Sequence, residues 1–483
     1  MQKGNKNYMK LFNKIEKQAE YNEKEIKQEF KNEKFIKQLT FTKNYLYKLI
    51  TKSLISFNTN NSIDLRLNEI INKCKILFKK ALYKQFFQNL KLGKKTALEY
   101  ERFHHYLQFI ELEKVIIMKK ILPNNNDAKI FAAETSVLEK IENINKYETI
   151  ISELETYYRS KGRFREKSLL FLKDDQLNNP LLQDEKKALS IRALEHFYMA
   201  HQLIHDLLGD SPKMYMYAHK RFELIKSNPK PFEDQLLNYW IDTLTYLTFF
   251  ALNFEQYAEL QKYLKMLQSL QSHSLVNEID IFTVVSMLEL IGLRKDLKYS
   301  ECMEAIKRIE KKLDAYQGKM DYNMEILLNY TILRVLMFLD EYNMALNYGN
   351  RILNNPNVKV RADIEWYVKL IYLFIHLELK NHKFLKYLTS STQRYFQKKN
   401  RVFKLELVIL NYAKKVERMK KDEDITFEKK HLLKQMNELK KDPFERNAFT
   451  SFDFGRWLEL KINGELRRPA DFPTPKYAGG QKS

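Results

Sequence analysis

Residues 240–267 read WIDTLTYLTFFALNFEQYAELQKYLKML. Trp240, Leu244, Leu247 and Ala251 recur at spacings of three and four, which places them on one face of an α-helix. Tyr257, Leu260, Leu264 and Leu267 repeat the figure a few residues later. Between the two stripes, Leu252-Asn253-Phe254-Glu255 leaves room only for a tight antiparallel turn. The stretch predicts a helical hairpin built of two helices of about 10–15 residues each.

The same figure recurs outward from this point. Val284, Leu288 and Ile291 lead to a turn near Lys298-Tyr299-Ser300, and Cys302, Ile306, Ile309 and Leu313 follow it. Leu328, Ile332, Val335 and Leu339 lead to Asp340-Glu341-Tyr342, then to Ala345, Gly349 and Ile352, with Asn355-Pro356 closing the second helix. Upstream, Ala193–Leu208 meets Gly209-Asp210-Ser211-Pro212, which predicts a glycine stop followed by a restart with Ser211 as N-cap and Pro212 in the first turn. The turn markers Asp210, Phe254, Tyr299, Tyr342 and Asn381 lie 44, 45, 43 and 39 residues apart. Near-constant spacing without sequence identity is the signature of a helical repeat array.

Composition points the same way. Only 11 glycines and 10 prolines occur in 483 residues, too few for the turns of a β-sandwich or a Rossmann-type enzyme of this size. The apolar stretches Ile241–Phe254 and Ile364–Leu377 are too short, and too interrupted by charge, to cross a bilayer. The polar N-terminus has no apolar run of the kind a secretory signal needs, so a cytoplasmic protein without membrane insertion is expected. Cys74 and Cys302 fall in helical apolar patterns and read as core residues. The formal net charge of +22 raises the question of an anionic partner, although lysine supplies most of it and bidentate phosphate recognition prefers arginine.

At the hairpins the chain resembles the tetratricopeptide repeat family, with Tyr342, Ala345, Gly349 and Ile352 carrying the likeness best. Phe254, Tyr257, Gln261 and Leu264 fit in part, as do Tyr299, Cys302, Ile306 and Ile309. Units of about 40–45 residues exceed the 34 of that family. The resemblance implies an all-α, right-handed superhelical stack of helical hairpins. The segments 43–50 (KNYLYKLI) and 76–83 (ILFKKALY) also resemble the opening of an uncharacterised family of all-helical bacterial proteins, which implies architecture and no activity.

The expected organisation is a charged amphipathic arm over 1–40, helical hairpins over 41–122 and the repeat array over 128–413. Charged helices would follow over 414–465, then an extended or disordered tail over 466–483 rich in proline and glycine.

Candidates for chemistry thin out on inspection. His201 and His205 stand at i and i+4, with His196 one turn back, but the glutamate of an H-E-x-x-H zinc site is replaced by Gln202. Gly93-Lys94-Lys95-Thr96 lacks the earlier glycine of a phosphate loop, since position 88 is Gln88. Asp453-Phe454-Gly455 has no kinase loops around it. No catalytic residue, metal site or cofactor is assigned. The sharpest basic cluster is Arg159, Lys161, Arg163, Arg165 and Lys167, interleaved with Tyr157, Tyr158 and Phe164, which would suit phosphate contact and base stacking. The expected function is a non-catalytic scaffold or adaptor that binds protein partners, with a basic RNA- or ribosome-associated factor as the alternative.

Overall fold

The computed structural model describes residues 7–18, 20–58, 62–119, 127–163, 165, 178–272, 274–295, 298–419 and 422–466. Helices and short 3₁₀ turns make up its regular structure, and no strand occurs among the described residues. Two compact units, residues 1–138 and 139–483, divide the chain. The division falls within one long helix that spans residues 127–161.

In the first unit, α1 (Asn7–Glu16), α2 (Glu23–Glu29) and α3 (Leu39–Asn58) gather around Leu11, Ile26, Phe35, Leu39 and Leu46. The expected amphipathic arm is thus a small helical cluster with a core of its own. Beyond it, α4 (Ile63–Lys79), α5 (Tyr83–Glu99) and α6 (Phe103–Met118) form two successive hairpins. Gly93 lies inside α5, and a Cβ there would stand 2.2 Å from the Phe109 ring. Its role is close helix packing.

The second unit begins inside α7 (Asp127–Lys161), a single helix of 35 residues where hairpins were expected. After α8 (Pro180–Gln183) come six hairpins. The first members are α9 (Ile191–Leu207), α11 (Leu236–Asn253), α13 (Leu275–Lys295), α15 (Tyr322–Phe338), α17 (Ala362–Glu378) and α19 (Lys404–Glu417). The second members are α10 (Ser211–Ser227), α12 (Tyr257–Ser269), α14 (Tyr299–Ala315), α16 (Tyr342–Leu353), α18 (His382–Lys398) and α20 (Asp422–Lys441). Each first member from α11 to α17 packs on the next, and α10, α12, α16 and α18 each pack on the first helix of the following hairpin. This is the contact pattern of a stacked repeat.

One turn chemistry closes most of the hairpins. Asp210, Gln256, Lys298, Glu341 and Asn381 each donate a backbone N–H to the carbonyl five residues earlier, the wide bond of a Schellman helix end. They recur at intervals of 46, 42, 43 and 40 residues, which is the repeat the sequence predicted. Glu255, Asp340 and Lys380 take the left-handed conformation just before that bond, as the residue preceding the donor does in this helix end. Position 209 is different. A Cβ on Gly209 would sit 2.2 Å from Asn447 Oδ1, so the C-terminal segment's approach requires glycine there.

Some details depart from expectation. The N-cap of α10 is Asp210, whose carboxylate accepts from Lys213 N at 3.3 Å, and Ser211 is already helical. On α12, Tyr257 is exposed and Tyr263 is the buried aromatic, while Leu267 of the expected stripe is buried and Leu260 and Leu264 are half-buried. Within the 414–465 stretch, where charged helices were expected, α19 ends at Glu417 and α20 buries Leu432 and Met436.

The chain does not stop at the sixth hairpin. A 3₁₀ turn over Glu445–Thr450 and α21 (Phe454–Asn463) return along the first helices of the stack. Trp457 is fully buried and donates its indole N–H to the Met337 carbonyl at 3.0 Å. Phe374 packs edge-on to Trp457, and Phe452 packs on Phe338. The face that an open solenoid would present to a partner is here partly covered by its own C-terminal segment. Gly464 ends α21 with φ +73°, and the tail expected beyond it lies outside the described residues.

Candidate ligand cavity

The inner faces of the first helices, the end of α7 and the C-terminal segment enclose a cavity of about 1090 Å³. That is at the top of the range for small-molecule sites. One wall is α13, where Asp280, Val284, Met287, Ile291 and Arg294 follow one another at helical spacing on one face. On α15, Met324, Leu327, Tyr330, Arg334 and Phe338 do the same, after Asp321 at its N-cap. Both walls run from a carboxylate, through apolar side chains, to a guanidinium.

Most charges that border the cavity are held by an opposite charge. Arg163 meets Asp206 at 2.5 Å, and Arg361 binds Asp363 through two bonds of 2.9 and 2.8 Å. Asp242 meets the fully buried Arg221 at 2.9 Å, which also holds Glu195 at 2.6 Å. Asp453 pairs with Lys440 at 2.8 Å, and Lys295 donates to the Leu252 carbonyl at 2.6 Å.

Arg294 and Arg334 stand apart. Neither has a carboxylate within 4.0 Å among the described residues, and the Arg294 Nε–H has no hydrogen-bond partner. Each guanidinium lies over an aromatic ring, Arg294 at 4.6 Å from Phe338 and Arg334 at 5.4 Å from Tyr330. Burial, and then the positive charge of Arg334, pull Arg294 down to about 10 against the weaker attraction of Asp453, whose carboxylate is held by Lys440, and burial also pulls Arg334 down. At the other end Asp280 has no cationic partner among the described residues, and burial together with Asp321 raises its carboxyl. Asp321 is exposed, so this end of the cavity meets solvent.

The basic cluster expected from sequence does not form one surface. Arg159 is exposed but bridged to Glu155 at 2.9 Å, and Lys161 is exposed. Gly162, at φ +71°, turns the chain inward, so Arg163 reaches Asp206 and Arg165 is buried between Glu406 and Glu445. Lys167 lies outside the described residues. Two of these side chains are structural cations of the fold. His201 donates its Nε2–H to the Leu182 carbonyl at 2.8 Å, and its ring stacks on Tyr217 at 4.5 Å. Cys302 is fully buried, and burial pushes its thiol up to about 12.

No helix among the described residues is long and apolar enough to cross a membrane. No protein-family model matches the chain, and neither does any curated protein or any solved structure.

Proposed function

We propose that the chain is a non-catalytic, tetratricopeptide-like cytoplasmic scaffold that binds its partner by taking an extended segment of polypeptide into the cavity. The observation that carries this reading is the wall of α13 and α15, apolar along its middle and charged at both ends. Such a wall suits a chain with apolar side chains and polar ends, and a stack of parallel helices supports it rigidly. The pairing of Arg163 with Asp206 and of Arg361 with Asp363 favours a binding role over a reactive one, because their charges are already satisfied. An RNA- or ribosome-associated role draws on the net charge of +22, but among its described residues the basic cluster offers only Arg159 and Lys161 at the surface.

Filling the cavity tests the reading. Met287→Trp and Leu327→Trp each place a large ring on the apolar wall, from positions that are only half-buried. Displayed random peptides selected on the wild-type protein should bind it and lose both variants. Peptides that bind all three equally would count against the cavity. RNA retention that falls steeply with salt, and that is unchanged in both variants, would favour the alternative.

A further inference from the structure

The cavity has a polarity that selects more than an extended chain. Asp280 and Arg294 lie on the same face of α13, fourteen residues apart. At 1.5 Å per residue the helix separates them by about 21 Å. Asp321 and Arg334 bracket the parallel face of α15 in the same order. An extended polypeptide advances about 3.3–3.6 Å per residue, so this distance corresponds to about six residues.

We propose that the cavity holds a short free peptide of about six residues, with its C-terminal carboxylate on Arg294 and Arg334 and its N-terminal ammonium on Asp280 and Asp321. This rests on the cavity-binding reading above and sharpens it to a ligand with two free termini. Arginine in the last turns of a helix complements the helix dipole, and this alone could place either residue. A dipole does not account for two unpaired guanidiniums that face one cavity, half-buried and close enough to repel each other. The other arginines that line the cavity among the described residues each meet a carboxylate: Arg159 meets Glu155, Arg163 meets Asp206, Arg361 meets Asp363 and Arg456 meets Glu459. A planar carboxylate would satisfy both forks at once. Between the ends, Val284, Met287 and Ile291 on α13 and Met324 and Leu327 on the neighbouring α15 line the cavity, so the middle side chains of the ligand are apolar.

The test uses the full-length chain and pools of random-sequence hexapeptides in three forms: both termini free, C-terminally amidated, and N-terminally acetylated. Retention is read by equilibrium dialysis and mass spectrometry. The free pool should be retained best, and amidation should weaken retention about 10- to 100-fold, the usual effect of losing hydrogen bonds to a charged group. Arg334→Gln should bind both pools equally weakly, and Asp280→Asn should remove the penalty of acetylation. Free pools of three or ten residues should be retained less than the hexapeptides. Equal retention of capped and free hexapeptides by the wild-type protein would overturn the assignment of the termini, whether or not the variants fold, and would leave the cavity-binding reading standing. Stronger retention of the capped pools would overturn it as well. If no pool is retained, both readings fall together.

Discussion

Replacing Arg165 by methionine removes the cation from a buried triad. Its guanidinium binds Glu406 at 2.5 and 2.9 Å and Glu445 at 2.5 Å, and all three side chains are 5% exposed or less. Glu445 also accepts from the backbone N–H groups of Lys404 and Leu405, at 3.0 and 3.3 Å, and so caps α19. Removing one partner of a buried ion pair costs about 3–5 kcal/mol, because the charge left behind stays buried. Here two carboxylates are left. Arg165→Met should therefore lower unfolding stability by at least that range, measured by urea titration with tryptophan fluorescence, since Trp366 and Trp457 both lie in the second unit. Adding Glu406→Gln and Glu445→Gln should restore more than half of the loss, because glutamine keeps the cap acceptor without the charge. A loss below about 1 kcal/mol, or a triple variant no more stable than Arg165→Met, would refute the account of the triad as a buried, mutually dependent set.

Other expectations follow from the same packing. A Cβ on Gly349 would stand 2.2 Å from Tyr372, whose hydroxyl is tied to Asn350 at 2.5 Å, so Gly349→Ala should lose about 1–3 kcal/mol despite alanine's better helix propensity; a higher melting temperature would contradict this. Trp457→Ala should cost about 3–5 kcal/mol and open the C-terminal segment to limited proteolysis, with new cuts mapping beyond residue 441. Burial lowers His196, but hydrogen bonds with Glu148 and Glu195 outweigh it and raise the imidazole to about 9. Its contribution is complete below its ordinary value near 6.5 and fades as pH rises through 9, so His196→Gln should flatten the alkaline limb of the stability profile. Burial lowers His205 to about 4, against the pull of Asp210, so stability should fall as pH drops from about 6.5 toward 4, and His205→Gln should soften that limb.

The hairpins and their spacing were legible in the sequence because turn chemistry and apolar periodicity are local. Val284, Leu288, Ile306, Val335 and Ile352 are all buried as their spacing requires. Tyr257 misled because an aromatic at the start of a helix looks like a core residue, while the partner helix buries Tyr263 instead. The cavity was not legible. Asp280 and Arg294 share a helical face that periodicity can find, but nothing local says that this face turns inward or that no carboxylate comes to meet Arg294. The basic cluster failed for the complementary reason. Glu406 and Glu445, which neutralise Arg165, lie 241 and 280 residues away, beyond the reach of any spacing argument.

The returning C-terminal segment changes how such a stack must fold. Repeat arrays whose units touch only their neighbours can fray from either end, one unit at a time. Here Trp457 anchors to Met337, 120 residues back, and Glu445 reaches Arg165 over 280 residues. Those links make the stack a closed loop in its energetics, so its repeats should exchange amide hydrogens with similar protection instead of grading toward the ends. During synthesis the loop cannot close until residues past 457 have left the ribosome, and the inner wall stays uncovered until then.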